Sequence, residues 1–316
     1  MAAKISLKLT NRAPKKGFRN LPSQIELSAD ATVEDAKKAI AAASGVKDFN
    51  RVGLFDPESK KTLKNRKALV RDEQGVMAAG ELLVKDLGPQ VAWRTVFVIE
   101  YFGPILFHVL VPLVRPYIYR VEPFVYKSEA ETPMSQVQWL LFALFHIHFL
   151  KREYETIFVH KFSANTMPAR NIFRNSAFYW FLAGLLCAVD IYAPGNLADR
   201  NELGLLDYAG IAIFAIGETC NWIVHQHLAS LRKPGGTERG IPNCIGSNWV
   251  TSPNYMFEVL AWVGVILVSR SWAVVVFICT GIIYMRAWSR DKEKALRKEF
   301  GDRYKKKRYT MLPGLI

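Results

Sequence analysis

The chain has 316 residues, half of them apolar by type, and 42 Lys and Arg against 28 Asp and Glu give a formal charge of +14. So basic a balance invites nucleic acid, but the cations gather in the first 90 residues, in loops between apolar segments and in the tail, which suits anionic headgroups and a phosphate-bearing ligand and excludes a nucleic-acid partner. Four cysteines with no C-x-x-C pair exclude a zinc ribbon and a disulfide framework.

Lys4-Ile-Ser-Leu-Lys-Leu-Thr10 and Gln24-Ile-Glu-Leu-Ser28 alternate apolar with polar, as two strands of a hairpin do. Thr32 stands where an N-cap belongs, and Val33, Ala36, Ile40 and Ala43 form the apolar stripe of a helix. Val52 to Phe55, Thr62-Leu63 and Glu81 to Lys85 supply further short strands, so a β-β-α-β-β order, with Thr62-Leu63 as a short addition to it, fills the first 88 residues. That order resembles a ubiquitin-like β-grasp domain. The start of the chain lacks the uninterrupted apolar core of a secretory signal, and the domain is expected in the cytosol.

From Trp93 onward the sequence is a succession of apolar segments, near 95–114, 134–150, 176–192, 205–229, 254–269 and 271–288. A bilayer core about 30 Å thick takes about 20 residues of helix. The expectation is an α-helical integral membrane domain over 89–316 with six spans, and Pro116 to Tyr126 as a re-entrant segment or a candidate seventh. With the N-terminus in the cytosol, Lys151, Arg152, Lys161, Arg170, Arg174, Arg232, Lys233, Arg239 and the run from Arg290 to Arg308 fall on the cytosolic side. Only Arg115, Arg120, Lys127, Arg200 and Arg270 fall opposite, an asymmetry that places both termini in the cytosol.

Polar groups at membrane depth are costly unless paired, solvated or used. Glu100 interrupts the first apolar segment, just before Gly103-Pro104, and points to a polar cavity. The stretch from Asn221 to Glu258 holds His225, His227, Arg232, Lys233, Arg239, Asn254 and Tyr255 between apolar segments. Within it Leu231-Arg-Lys-Pro-Gly-Gly236 sets cations beside glycines, where a phosphate can approach the backbone closely. Tyr255 and Glu258 share a helix face by i,i+3 spacing. The histidine pairs His146/His148 and His225/His227 are spaced i,i+2, so their side chains point apart on a helix, and no metal site is expected.

Val98-Ile-Glu-Tyr-Phe-Gly-Pro104, Glu155 to Ser163, Thr166 to Asn175, Leu231-Arg-Lys-Pro-Gly235, Ser252-Pro-Asn-Tyr255 with Glu258, and Glu299-Phe-Gly-Asp302 occur in this order along the chain. Together they resemble the very-long-chain trans-2-enoyl-CoA reductases, a branch of the steroid 5α-reductase family with an N-terminal ubiquitin-like domain. The resemblance implies an endoplasmic reticulum membrane enzyme that uses NADPH to reduce a long-chain trans-2-enoyl-CoA at the end of the fatty acid elongation cycle, beside the other enzymes of that cycle. It implies Tyr255 and Glu100 as the catalytic pair. It puts cofactor contacts at Asn221, His225, Arg232, Lys233, Arg239 and Asn254, with Arg170, Asn171, Arg174 and Asn175 in a second stretch near the site. The family's His-Arg-x-Tyr tail pattern is replaced here by Glu293 and Leu296, so no cofactor role is expected at 293–296. Competing readings are a 3-oxo-steroid or polyprenal reductase and a membrane adaptor without chemistry.

Overall fold

The computed structural model describes residues 4–14, 17–120, 133–162, 165–232 and 240–315. The chain folds as two compact units, one of residues up to 95 together with 162–171, the other holding the long helices.

In the first unit strands β1 (Lys4–Asn11), β2 (Gln24–Ser28), β3 (Val52–Phe55) and β4 (Glu81–Asp86) form one sheet in the order β2-β1-β4-β3. β1 is antiparallel to β2 with Leu7 opposite Ile25, and parallel to β4 with Leu9 opposite Leu82. β3 closes the sheet antiparallel to β4. The alternation seen in the sequence is the inward face: Leu7, Leu9, Ile25, Leu27, Leu54 and Leu82 pack on helix α1 (Val33–Ala43) through Val33, Ala36 and Ile40. Thr32 starts α1 with a capping box, its hydroxyl accepting from the Asp35 N–H at 3.1 Å and its own N–H donating to the Asp35 carboxylate at 3.0 Å. The strand expected at Thr62-Leu63 is reduced to a single bridge between Phe55 and Thr62. A short helix α2 (Gln74–Ala79) ends at Gly80, whose φ of +59° suits glycine. A second small sheet pairs β5 (Gln90–Ala92) with β6 (Thr166–Pro168), so part of the polar stretch before the third apolar segment is built into this unit.

Lys37 sits on α1 with 7% of its surface exposed. Burial first, and then the Arg66 guanidinium, push its ammonium down from 10.5 to about 8. The folded unit therefore loses this proton before the unfolded chain does. The desolvation cost is present in full below pH 8 and fades as pH rises from about 8 to about 10.5. Replacing Lys37 by Met is expected to stabilise the unit at pH 7 by about 1–3 kcal/mol, with the gain shrinking by pH 10. Hydrogen-exchange protection of α1 and the sheet in the full chain, read at both pH values, checks it; a gain independent of pH would remove the ammonium as its cause.

The second unit is helical: α3 (Trp93–Ile118), α4 (Gln136–Tyr154), α5 (Asn171–Ala177), α6 (Cys187–Ile191), α7 (Leu205–Ser230), α8 (Pro253–Ser269) and α9 (Trp272–Phe300). A widened π turn, Glu155–Val159, ends α4, and another, Phe178–Leu186, joins α5 to α6 as one continuous helix. Among the described residues three helices are long and apolar enough to cross a membrane by length and composition: Trp93–Ile118, Asn171–Ile191 and Trp272–Arg303. α8 is apolar but shorter, at 17 residues. α4 and α7 have the length, but polar side chains such as Gln138, His148 and Lys151 on α4 and Asp207, Glu218 and Asn221 on α7 dilute their apolarity. By that measure three of the six expected spans are seen, and the candidate seventh runs into residues outside the described ones. The apolar core of the unit is built on Leu141, Phe145, Phe149, Trp262, Val265 and Phe277.

α7 and α8 lie against each other at backbone distance. A Cβ at Gly217 would fall 2.5 Å from the Ala261 nitrogen, and one at Gly264 2.5 Å from the Gly210 carbonyl oxygen. Such small residues let two helices approach closely.

Candidate active site

Four residues of α4 and its π turn, His148, Lys151, Arg152 and Glu155, recur at the spacing of one helix face, and so do Glu218, Asn221 and His225 on α7. The two faces meet. Lys151 Nζ lies 2.9 Å from Glu218, 3.3 Å from Glu155 and 2.6 Å from the Asn221 side-chain oxygen it donates to. His148 sets Nδ1 2.6 Å from Glu218 and Nε2 3.3 Å from Glu258 of α8. Asn221 in turn donates to the Asn254 carbonyl at 2.9 Å and to Glu258 at 3.2 Å, which ties α7 to the start of α8.

Arg152 links this network to α3. It pairs with Glu155, lies 3.1 Å from His225 Nδ1, and donates to the Tyr101 hydroxyl at 2.9 Å. Tyr179 of the α5–α6 helix meets the Tyr101 ring edge-on at 5.1 Å. Fixed cations, carboxylates and amides thus satisfy one another where an isolated charge would cost several kcal/mol.

Glu100, 1% exposed, sits one residue before Tyr101. Asn175 lies beside it, and the Arg152 and Arg174 cations are within electrostatic range. Its Oε1 has no hydrogen-bond partner among the described residues. Gly103 makes room for the Trp180 indole, which donates to the Ile99 carbonyl at 2.7 Å and packs the helix around Glu100.

Tyr255 occupies the first turn of α8, half-buried, its ring 6.5 Å from that of Trp288 and within electrostatic range of Tyr101, Arg152 and Glu258. No hydrogen bond joins its hydroxyl to a described residue, Glu100 included. Glu100 and Tyr255 instead share Arg152 and Tyr101 as neighbours. The side-chain oxygen of Asn254, next to Tyr255, is also buried without a hydrogen-bond partner among the described residues. Buried acceptors left open are expensive, and in a helical bundle they point to a polar group that the site is built to receive.

The remaining expected residues are placed unevenly. Asn221, His225 and Asn254 come together in the network. Arg232 ends α7 in a reciprocal clasp with Lys161: its guanidinium donates to the Lys161 carbonyl, and Lys161 Nζ donates to the Arg232 carbonyl at 2.6 Å. Arg174 is exposed and donates to Asn175 at 3.4 Å, both in the helical unit. Arg170, exposed, and Asn171 belong to the first unit, where Asn171 reaches the Met167 sulfur. Lys233 and Arg239 lie outside the described residues. His148, Lys151, Arg152, Glu155, Glu218 and Tyr101 were missed as site residues, although polar residues repeating every three or four positions in an apolar helix were the available signal.

Ligand atoms of Glu155, His160 and His225 lie within 4.8 Å of one another. Glu155 already holds Arg152 and Lys151, so a divalent cation there would share its carboxylate with two fixed positive charges. That donor set does not suit a metal.

Residues 165–316 match the family described as 3-oxo-5-alpha-steroid 4-dehydrogenase. Over nearly full length the chain is similar to a candidate enoyl reductase of Schizosaccharomyces pombe, at 35% identity over 99% of this chain and 100% of that one. It is 33% identical to the very-long-chain enoyl-CoA reductase of Dictyostelium discoideum, over 99% of this chain and 100% of that one. A candidate enoyl-CoA reductase of Trypanosoma brucei brucei is 36% identical over 92% of this chain and 96% of its own.

Proposed function

Because the chain belongs to the very-long-chain enoyl-CoA reductase family, we propose that it reduces the C2=C3 double bond of a long- or very-long-chain trans-2-enoyl-CoA with NADPH, the closing step of a fatty acid elongation cycle. The observation that carries the chemistry is the Tyr255 hydroxyl, unpartnered among the described residues, at the edge of a buried network in which the same residues leave Asn254 Oδ1 and Glu100 Oε1 open.

NADPH, held at this site, would supply a hydride for C3. The open Asn254 oxygen suits the carboxamide of a nicotinamide, and His225 with Asn221 sits within the same polar wall. Arg232, just past the end of α7, is a group for the cofactor phosphates, with Lys233 and Arg239 beyond it in the sequence and Arg174 and Asn175, in the same unit as Arg232, as a second group of contacts. Reduction of a conjugated thioester builds negative charge on the thioester oxygen and leaves C2 in need of a proton. Tyr255 is the donor to that oxygen or carbon. Arg152, fixed between Tyr101 and Glu155, holds a positive charge within range of Tyr255 and Glu100, and Glu100 acts through it.

The same helices make the membrane domain. Polar side chains of α4 and α7 are turned into the network, while Trp139, Ile147, Leu150, Leu206, Ile216 and Ile223 face outward. That division supports six spans, α4, α7 and α8 included, since a polar face costs little when it is paired inside the bundle. The chain is then a multi-pass endoplasmic reticulum protein with both termini cytosolic, where it meets enoyl-CoA and its neighbours in the elongation cycle. The mixed order β2-β1-β4-β3 with one helix across it supports a ubiquitin-like β-grasp reading of the first 88 residues.

The test is oxidation of NADPH by the purified, detergent-solubilised chain. Oxidation that depends on a long-chain trans-2-enoyl-CoA, absent with the saturated acyl-CoA and much slower with NADH, is the expected result. A 3-oxo-Δ4-steroid serves as the rival substrate, because the family matched at 165–316 carries a steroid name; turnover of the steroid alone would replace the acyl-CoA reading.

A further inference from the structure

The tail carries Lys305-Lys-Lys-Arg308, which the buried network does not use. Among the described residues none of these four cations forms an ion pair. Together with Trp249 and Tyr309 they wall an open hollow of about 520 Å³. Trp249 is 60% exposed there, an indole left in the open beside four positive charges.

Backbone pairing holds the hollow in shape. Val250 and Tyr309 form a bridge, the Thr251 N–H donates to the Tyr309 carbonyl at 3.3 Å, and the Ser252 N–H donates to the Thr310 carbonyl at 3.0 Å. Glu293 of α9 anchors both sides of this strap, accepting from Thr251 Oγ1 at 2.5 Å and from the Tyr304 hydroxyl at 2.6 Å. Burial and the hydrogen bond to Glu293 raise the Tyr304 hydroxyl well above the usual tyrosine range, so it stays a donor at any physiological pH. Cations and an aromatic face held together in a hollow recognise a phosphorylated base: the charges take the phosphates and the indole stacks on the ring. A headgroup patch needs the charges alone.

The place is as telling as the chemistry. Trp249 precedes Tyr255 by six residues, so the chain itself limits their separation to about 20 Å. An acyl-CoA presents its thioester and its 3′-phosphorylated ADP at opposite ends of an extended pantetheine arm, a distance of the same scale. We propose that this hollow binds the 3′-phosphoadenosine diphosphate end of the substrate while the thioester lies at Tyr255. The assignment rests on the reading of the substrate as an enoyl-CoA.

The full-length chain is compared with a variant carrying Lys305→Gln, Lys306→Gln, Lys307→Gln and Arg308→Gln, and with Trp249→Ala. Substrates are a long-chain trans-2-enoyl-CoA and the same acyl ester of 3′-dephospho-CoA. The wild type is expected to show a KM about 10-fold higher for the dephospho ester. Loss of the four cations should raise KM for the CoA ester by about 10-fold and erase the preference for the 3′-phosphate, with KM for NADPH unchanged. Trp249→Ala should raise KM for both esters. An unchanged KM in both variants overturns the assignment. So does a rise confined to NADPH, which makes the hollow a cofactor site, or a loss confined to binding vesicles that contain phosphatidylserine, which makes it a headgroup site. Equilibrium dialysis with adenosine 3′,5′-bisphosphate separates this proposal from the substrate reading. If the wild type turns over neither ester yet binds the bisphosphate, and the four-fold variant does not, the substrate reading falls and the nucleotide hollow stands; absence of binding in the wild type removes the hollow.

Discussion

Tyr255→Phe is expected to lower turnover of a long-chain enoyl-CoA by about 10²- to 10⁴-fold, the range lost with an oxyanion donor or a general acid, and to leave the dissociation constant for NADPH within about twofold. The hydroxyl makes no hydrogen bond to a described residue, so removing it orphans no partner, and the ring keeps its packing against Trp288. An effect on kcat without an effect on melting temperature or cofactor affinity is therefore the signature of a donor used only when charge develops on the substrate. Near-normal turnover in a variant that still binds NADPH would take Tyr255 out of the mechanism and leave the membrane fold and the cofactor reading intact.

How far the sequence reaches is seen by comparing α1 with α4. Thr32, Asp35 and the stripe Val33, Ala36, Ile40 are local signals, and the structure honours them with a capping box and a buried face. The alternation of β1 and β2 is equally local, and their register puts the same residues inward. The reading of His225 and His227 as pointing apart also holds, since His225 turns inward to Glu155 and Arg152 while His227 accepts from the Asn243 N–H at 3.1 Å. What stayed hidden is pairing across long separations. Nothing local tells Lys151 that it will meet Glu218, or β5 that its partner β6 follows two long helices later. Each such side chain, seen alone, reads as a loop charge or an unexplained polar group, and only the approach of α4, α7 and α8 turns them into one network. Thr62-Leu63 shows the opposite error: the segment does run beside β3, with the Leu63 N–H donating to the Leu54 carbonyl and the Asp56 N–H to the Lys61 carbonyl, both at 2.9 Å, but it is too short to make more than a single bridge.

That approach depends on glycine, and Gly217→Val is expected to be the most damaging single change to the helical unit. The new Cβ alone would stand 2.5 Å from the Ala261 nitrogen and 2.7 Å from its Cα. Backbone cannot swing aside as a side chain can, so α7 and α8 must separate, and overpacking of this kind costs about 1–3 kcal/mol before any contact is lost. Separation also breaks the Asn221 bonds to Asn254 and Glu258 and the bridge from His148 to Glu258. Leaving buried charges half-paired adds about 3–5 kcal/mol. A loss of several kcal/mol in a protein whose margin is about 5–15 kcal/mol should appear as a large fall in melting temperature of the detergent-solubilised protein, with NADPH unable to restore it. Gly204→Ala is the matched control at the start of the same helix, because a Cβ there meets only Asp207, at 3.8 Å. If Gly217→Val melted where the wild type does and turned over substrate normally, the close approach of α7 to α8 would not be what holds Asn221, Glu258 and Tyr255 in place.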